Sequence, residues 1–182
     1  MSIEVHIQSA DPHYETLIAG ALTHFDVQRV NSPSDDAVRV ILDFPLLWAF
    51  GQLEELNSLQ VRRTIVVTQN THALYRDALS TYHVSGIVMS HEPNAILSAI
   101  YSAADGVRGH KRASGLTPVP LRVVRGLLTG LSTNEIAEIE DIKPRTVNSH
   151  IALCIQAMNV TSRTELVTRI LLPNGSLTPG AS

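Results

Sequence analysis

The sequence predicts an α/β domain built on a doubly wound, five-stranded parallel sheet, followed by a small all-α domain of four helices. Three observations carry that expectation. Short apolar runs alternate with helix-like stretches through the first 106 residues, the pattern of a parallel sheet wrapped by helices. Composition shifts at Asp105–Gly115 (DGVRGHKRASG) to glycine, basic and small polar residues, as it does in linkers. Four helix-like segments then follow within residues 116–172.

In chain order, Val5–Ile7, Val27–Val30, Val38–Leu42, Thr64–Val67 and Gly86–Met89 read as strands. They are short and rich in β-branched residues, which suits strands buried on both faces. Between them Tyr14–Thr23, Leu46–Leu56, Ala73–Tyr82 and Asn94–Ala104 carry apolar residues at helical spacing. Beyond the linker, Val119–Thr129 is followed by Gly130, suited to a helix C′ position. Ser132 and Glu135 have capping-box spacing at the start of STNEIAEIE. The turn Asp141-Ile142-Lys143 leads to Pro144, a good first helical residue, and the third helix runs to about Met158. Ser162 and Glu165 repeat the capping pattern before a fourth helix ending at Leu171, and PNGSLTPGAS reads as a disordered tail.

Composition narrows the function classes. Twelve acidic and five basic residues lie up to Gly106, against nine basic and five acidic from Val107 onward. An acidic half followed by a basic half suggests that only the second meets a polyanion. The lone Cys154 leaves no internal disulfide and no multi-cysteine zinc site. The eight histidines are scattered without metal-ligand spacing, so no metal site is expected. The first residues alternate like a strand, and no apolar run is long enough for a bilayer. A soluble, cytoplasmic protein without membrane partners is expected. No nucleophile with a base, glycine-rich phosphate loop or acid pair is evident, so no enzyme is expected.

VRVILD ending at Asp43, TIVVT ending at Thr68, and HVSGIVMSHEPNAILSAI from His83 resemble the receiver domain of bacterial response regulators, especially the NarL/FixJ group. The resemblance implies a flavodoxin-like fold. Only NSPSDDA separates Val30 from Val38 where that family places a full helix, so the second helix is expected to be missing or reduced to one turn. The family's chemistry is aspartate phosphorylation with Mg²⁺, and it implies Asp43 as the phosphoacceptor at the C-terminal end of the third strand. Aligned on Pro12, Ser9 and Ala10 fall where two further acids belong, with Asp11 one step beyond. Ser90 stands where the family has a lysine, and Thr68 keeps the hydroxyl position. Each lost charged contact removes stabilisation that phosphoryl transfer needs. Asp11, Asp43, Thr68 and Ser90 are therefore expected to form a vestigial pocket, with no cofactor and no Mg²⁺ at Asp43. Trp48 and Phe50 are expected in the core or at a subunit interface; a ligand-stacking role for them has no independent support.

Two short helices joined by a tight turn describe a helix-turn-helix, whose second member can enter the major groove. LTP (Leu116–Pro118), GLSTNEIAE (Gly130–Glu138), RTVNSH (Arg145–His150) and SRTELV (Ser162–Val167) also resemble the LuxR/GerE-type DNA-binding domain. The chain is thus expected to divide into a receiver-like domain at 1–106, a linker at 107–115, the helix-turn-helix domain at 116–172 and a tail at 173–182. In the third helix Val147, Cys154 and Met158 should face the core, with Ile151 partly so, leaving Arg145, Asn148, Ser149, Ala152 and Gln156 outward. The family usually carries lysine or arginine at several of these places, including Asn148. Lys143 replaces its polar cap and caps poorly. Candidate DNA contacts are Lys143, Arg145, Thr146, Asn148, Ser149 and Gln156, the amides of Asn148 and Gln156 suiting adenine. Arg122, Arg125 and the linker cations Arg108, His110, Lys111 and Arg112 are further candidates for phosphate. The fourth helix, Thr164–Leu171, offers an apolar face for pairing.

The leading expectation is an atypical response regulator: a homodimeric, phosphorylation-independent transcription regulator that binds double-stranded DNA sequence-specifically. The rival is a protein-interaction module, an antagonist or heterodimer partner of another regulator. It is motivated by the sparse charge of the third helix and by Leu153 and Ile155, an apolar patch if exposed. A third reading, a phosphorylation switch, requires Asp43 to accept phosphate.

Overall fold

The computed structural model describes residues 2–107, 109 and 112–172. Arg108, His110, Lys111 and the tail 173–182, for which phosphate contacts and disorder are expected above, lie outside the described residues.

The first half runs β1 (Ile3–Gln8), α1 (Pro12–Leu22), β2 (Val27–Arg29), β3 (Val38–Leu42), α2 (Trp48–Glu54), α3 (Ser58–Val61), β4 (Thr64–Val67), α4 (Ala73–Ser80), β5 (Gly86–Val88) and α5 (Pro93–Ala104). All strands are parallel in the order β2-β1-β3-β4-β5. The winding reverses between β1 and β3, so the C-terminal edge opens a crevice there, where such sheets bind ligands.

Side chains alternate across the sheet. On one face Val5, Ile7, Val40 and Ile65 pack against Ile18 and Leu22 of α1 and Ile96 and Ile100 of α5. On the other, Ile41 and Val66 pack against Phe50 and Leu53 of α2 and Leu74, Tyr75 and Ala78 of α4. That second face turns polar on β1, at Glu4, His6 and Gln8. No helix lies between β2 and β3 to cover it.

Two elements differ from the sequence reading. The expected helix Leu46–Leu56 starts at Trp48, because Leu47 takes a left-handed conformation (φ 79°), and it ends at Glu54. A separate short helix, α3, follows. Asn57 accepts from the amides of Leu59 and Gln60 while the Gln60 side chain accepts from the Asn57 amide. NSLQ is thus a capping box that apolar periodicity alone passes over.

The second half folds as α6 (Pro118–Leu128), α7 (Thr133–Ile139), α8 (Pro144–Ala157) and α9 (Arg163–Leu171). Three of these helices end alike. The amides of Leu131, Ile142 and Val160 reach back to the carbonyls of Gly126, Ala137 and Ile155. The preceding residues, Gly130, Asp141 and Asn159, are left-handed (φ 84°, 51° and 50°). This is the Schellman closure, whose next residue tucks an apolar side chain inward; Leu131, Ile142 and Val160 all join the core. Ser132 and Glu135 form a full capping box. Ser162 accepts from the Glu165 amide, but the Glu165 carboxylate turns to the Thr161 amide and hydroxyl, so the second expected box is half made.

The halves are in contact. α4 packs against α6 and α9, and Leu74, Tyr75, Leu121, Leu128, Leu166 and Ile170 share one apolar core. Asn70 donates to the Ile170 carbonyl at 2.8 Å. Asp77, fully buried on α4, accepts from the amides of Ala113 and Ser114 at 3.0 and 2.7 Å. The described linker residues are therefore bonded to the first domain rather than a solvated connector. The apolar side of α9, expected above as a pairing face, is turned into this core: Leu166 and Ile170 are buried, and Val167 and Leu171 lie against it.

Candidate nucleic-acid interface and the remnant acid pocket

At the C-terminal edge of the sheet, Asp43 is enclosed rather than displayed. It is 4% exposed. Its carboxylate accepts from the Ala49 amide at 3.0 Å, the Thr68 hydroxyl at 2.9 Å and the Tyr75 hydroxyl at 2.6 Å. Tyr75 accepts in turn from the Leu47 amide at 3.0 Å. Burial raises the Asp43 pKa, and the hydrogen bonds from Tyr75, Ala49 and Thr68 oppose it. Tyr75 is pushed upward as well, by burial first and by the adjacent carboxylate second. The sequence marks Asp43 and Thr68 but gives no sign that a tyrosine on the fourth helix would close over them.

The other positions do not complete an acid site. Asp11 is the N-cap of α1, accepting from the His13 amide at 2.9 Å. Ser9 accepts from the Asp11 amide, and Ser90 from the Glu92 amide. On the same strand-end side, Tyr14 meets His91 through its hydroxyl and stacks edge-on with Phe44. Mg²⁺ requires several free oxygen ligands in octahedral array. With Asp43 buried and bonded and Asp11 spent on a cap, the residues present do not fit that ion. Among the described residues, no group of three or more His, Cys, Asp or Glu side chains is placed to hold a metal.

The second candidate site is the outer face of α8. Lys143, Arg145, Asn148, Ser149, Ala152 and Gln156 are exposed and Thr146 is half-buried. Positions 145, 148, 149, 152 and 156 recur at helical spacing, so they share one face. Opposite them Val147, Ile151 and Cys154 are buried and Met158 packs against the core; Ile151 is more enclosed than its expected partial burial. Burial also raises the Cys154 thiol to about 11. Pro144 opens the helix, and Lys143 makes no side-chain cap bond. The Ser149 hydroxyl donates to the Arg145 carbonyl at 3.0 Å. Among the described residues, α8 packs mainly against α6, α7 and α9.

Two of the expected phosphate contacts are engaged elsewhere. Arg122 and Arg125 both pair with Glu140 at the end of α7. Arg125 also lies 4.7 Å over the Tyr82 ring of the first domain. Both arginines brace helix contacts, and Arg125 braces the domain contact as well. Arg112 is exposed. Leu153 is 46% exposed, whereas Ile155 leans on the core, so the expected apolar patch reduces to Leu153, with Ile139 of α7 also exposed.

Residues 114–170 match the family model for GerE, the bacterial regulatory proteins of the luxR family. This segment is a GerE-type helix-turn-helix domain. No curated protein matches the chain. Among solved structures, RcsB from Salmonella enterica serovar Typhimurium bound to the rprA promoter superposes with a TM-score of 0.62 at 18% identity, covering 93% of this chain and 98% of that one. The same protein bound to the P1flhDC promoter gives 0.58 at 18% identity over the same shares. These likenesses show the fold: a receiver-like α/β domain joined to a helix-turn-helix domain, as in RcsB.

Proposed function

We propose that this chain is a sequence-specific, double-stranded-DNA-binding transcription regulator that acts as a homodimer and without phosphorylation. The observation that carries the reading is the free outer face of α8, with Arg145, Asn148, Ser149 and Gln156 in one row and Lys143 at its head. A helix of that length fits the major groove. Asn148 and Gln156 can each bond adenine through two groups, while Lys143 and Arg145 supply phosphate contacts. RcsB, of the same fold, has been determined bound to promoter DNA. Two cations per protomer release few counterions, so the salt slope should be shallow. Such a regulator is neither an enzyme nor a membrane protein, and it works in the cytoplasm. The enclosure of Asp43 supports phosphorylation independence and the absence of Mg²⁺ there.

Selection from randomised duplex DNA at two salt concentrations tests the reading. Enrichment of a near-palindromic site is the expected result. At that site Asn148→Ala should cost about 1–3 kcal/mol; Lys143→Ala should weaken all sequences alike and lower the salt slope by about one per contact. Unchanged affinity in both Asn148→Ala and Arg145→Ala would sink the proposed surface. Acetyl phosphate with Mg²⁺ should add no mass; a gain that Asp43→Asn removes would restore the phosphorylation switch. A second reading, a partner or antagonist of another regulator, is favoured by the exposed Leu153 and Ile139. Weak, unselective binding that salt erases would move the assignment there.

A further inference from the structure

We propose that His72 makes the contact between the two domains sensitive to acid: protonation of its ring loosens the hold of the first domain on α9. His72 is the N-cap of α4, half-buried beside α9. Its Nδ1 accepts from the Leu74 amide at 3.2 Å. A ring nitrogen that accepts carries no hydrogen, so the capping ring is neutral with its hydrogen on Nε2. A second proton goes to Nδ1, where it meets the Leu74 N–H head on. The imidazolium would also sit at the positive end of α4. The cap is therefore compatible with one protonation state only.

The same loop holds the second domain. The buried Asn70 side chain accepts from the His72 amide at 2.8 Å and donates to the Ile170 carbonyl of α9, also at 2.8 Å. A ring that leaves the cap shifts the His72 backbone, and Asn70 carries that shift to the end of α9. Charge works in the same direction. On α9 the ring feels Arg169, whose own partner is Glu165 at 3.9 Å. On α4 the next charges are Arg76 and Asp77, 4.0 Å apart. Arg122 and Arg125 of α6 are paired with Glu140, and Asp43 is closed behind Thr68 and Tyr75. Burial pushes the His72 pKa down, and Arg169 adds to the shift. The closed form thus has its full advantage above about pH 6.5 and loses it as pH falls through the lowered value. Release uncovers Leu166 and Ile170 on the apolar side of α9. The inference stands whether or not the chain binds DNA.

NMR of the full-length protein reads the ring directly. The Cε1–H signal of His72, assigned by its loss in His72→Asn, should titrate with a midpoint below about 6.5. The amide signals of Ile170 and Leu171 should shift with the same midpoint. Hydrogen exchange of the α9 amides, corrected for intrinsic rate, should quicken about fivefold between pH 7.5 and pH 5.5, the effect of one lost cap. Asparagine caps a helix without titrating, so His72→Asn should leave α9 equally protected at both pH values. Arg169→Gln, at an exposed position of α9, should raise the His72 midpoint, and it serves if His72→Asn does not fold. His91, lowered by burial, and Asp43, raised by it, are present in both variants. A loss of protection that survives in His72→Asn would therefore trace to them and overturn the proposal. Equal protection of α9 in the wild type at both pH values, or a His72 midpoint that ignores Arg169→Gln, would overturn it as well.

Discussion

Asp43 shows at the scale of one residue how a reactive position becomes a structural one. Its carboxylate caps the first turn of α2 through the Ala49 amide and is closed over by Tyr75 and Thr68. A phosphoryl group would have to displace these partners in a site that holds no second acid. Burial raises the Asp43 pKa, so the folded chain holds that proton more tightly than the unfolded chain does. The favourable contribution is complete below the ordinary carboxylate pKa of about 3.9 and is lost as pH rises through the raised value. Ionised Asp43 is thus a liability near neutrality. Asp43→Asn can still accept from the Ala49 amide and donate to a hydroxyl. Urea melts at pH 4 and pH 7 should therefore show the wild type losing ground against Asp43→Asn as pH rises; a gap that does not change with pH would refute this account. Asp43→Ala removes the acceptor instead and strands three buried donors; it should cost about 1–3 kcal/mol at pH 4 and less at pH 7.

At the scale of elements, helix ends decide more than helix interiors. Gly130 closes α6 at φ 84°, where an L side chain is strained, so Gly130→Ala should lower stability by about 1 kcal/mol in thermal melts. Gly126, inside the same helix, is kept small for another reason. A Cβ there would lie 2.6 Å from Cγ1 of the buried Ile136, a stiff β-branched side chain with little room to turn. Gly126→Ala should cost about 1–3 kcal/mol through overpacking of α6 on α7, and Ile136→Ala should relieve part of that cost in the double variant. The capping of α7, the Gly130 stop, the Pro144 start and the absent helix between β2 and β3 were legible because each is written in a few adjacent residues. α3 was not, because four residues carry no periodicity, although the Asn57–Gln60 pair announces it. The outer row of α8 was legible from spacing. The engagement of Arg122 and Arg125 with Glu140 was not, because it depends on how α6 crosses the end of α7. The closure of Tyr75 over Asp43 was hidden for the same reason: burial of a polar group is a tertiary fact.

At the scale of the whole molecule, the composition break near residue 106 suggests two independent domains, yet the contacts join them. The cluster that contains Leu74 and Tyr75 of α4 also contains Leu121 and Leu128 of α6 and Ile170 of α9. Asp77 holds the linker by two backbone amides, and Arg125 lies over Tyr82. A carboxylate accepting buried amides is worth more than an exposed ion pair, because water cannot replace its donors. An apolar interface of this kind couples the unfolding of both sides, whereas a polar one would leave them independent. Calorimetry of the full chain should therefore give one transition, with calorimetric and van't Hoff enthalpies equal. Asp77→Ala should lower its midpoint through the stranded amides. Combined with Leu121→Ala, which empties the helix contact between the domains, it should split the transition in two. If the wild type already unfolds in two steps, the shared core does not couple the halves. The open face of α8 would then be a property of the second domain alone, and truncation to residues 112–172 should keep its DNA binding intact.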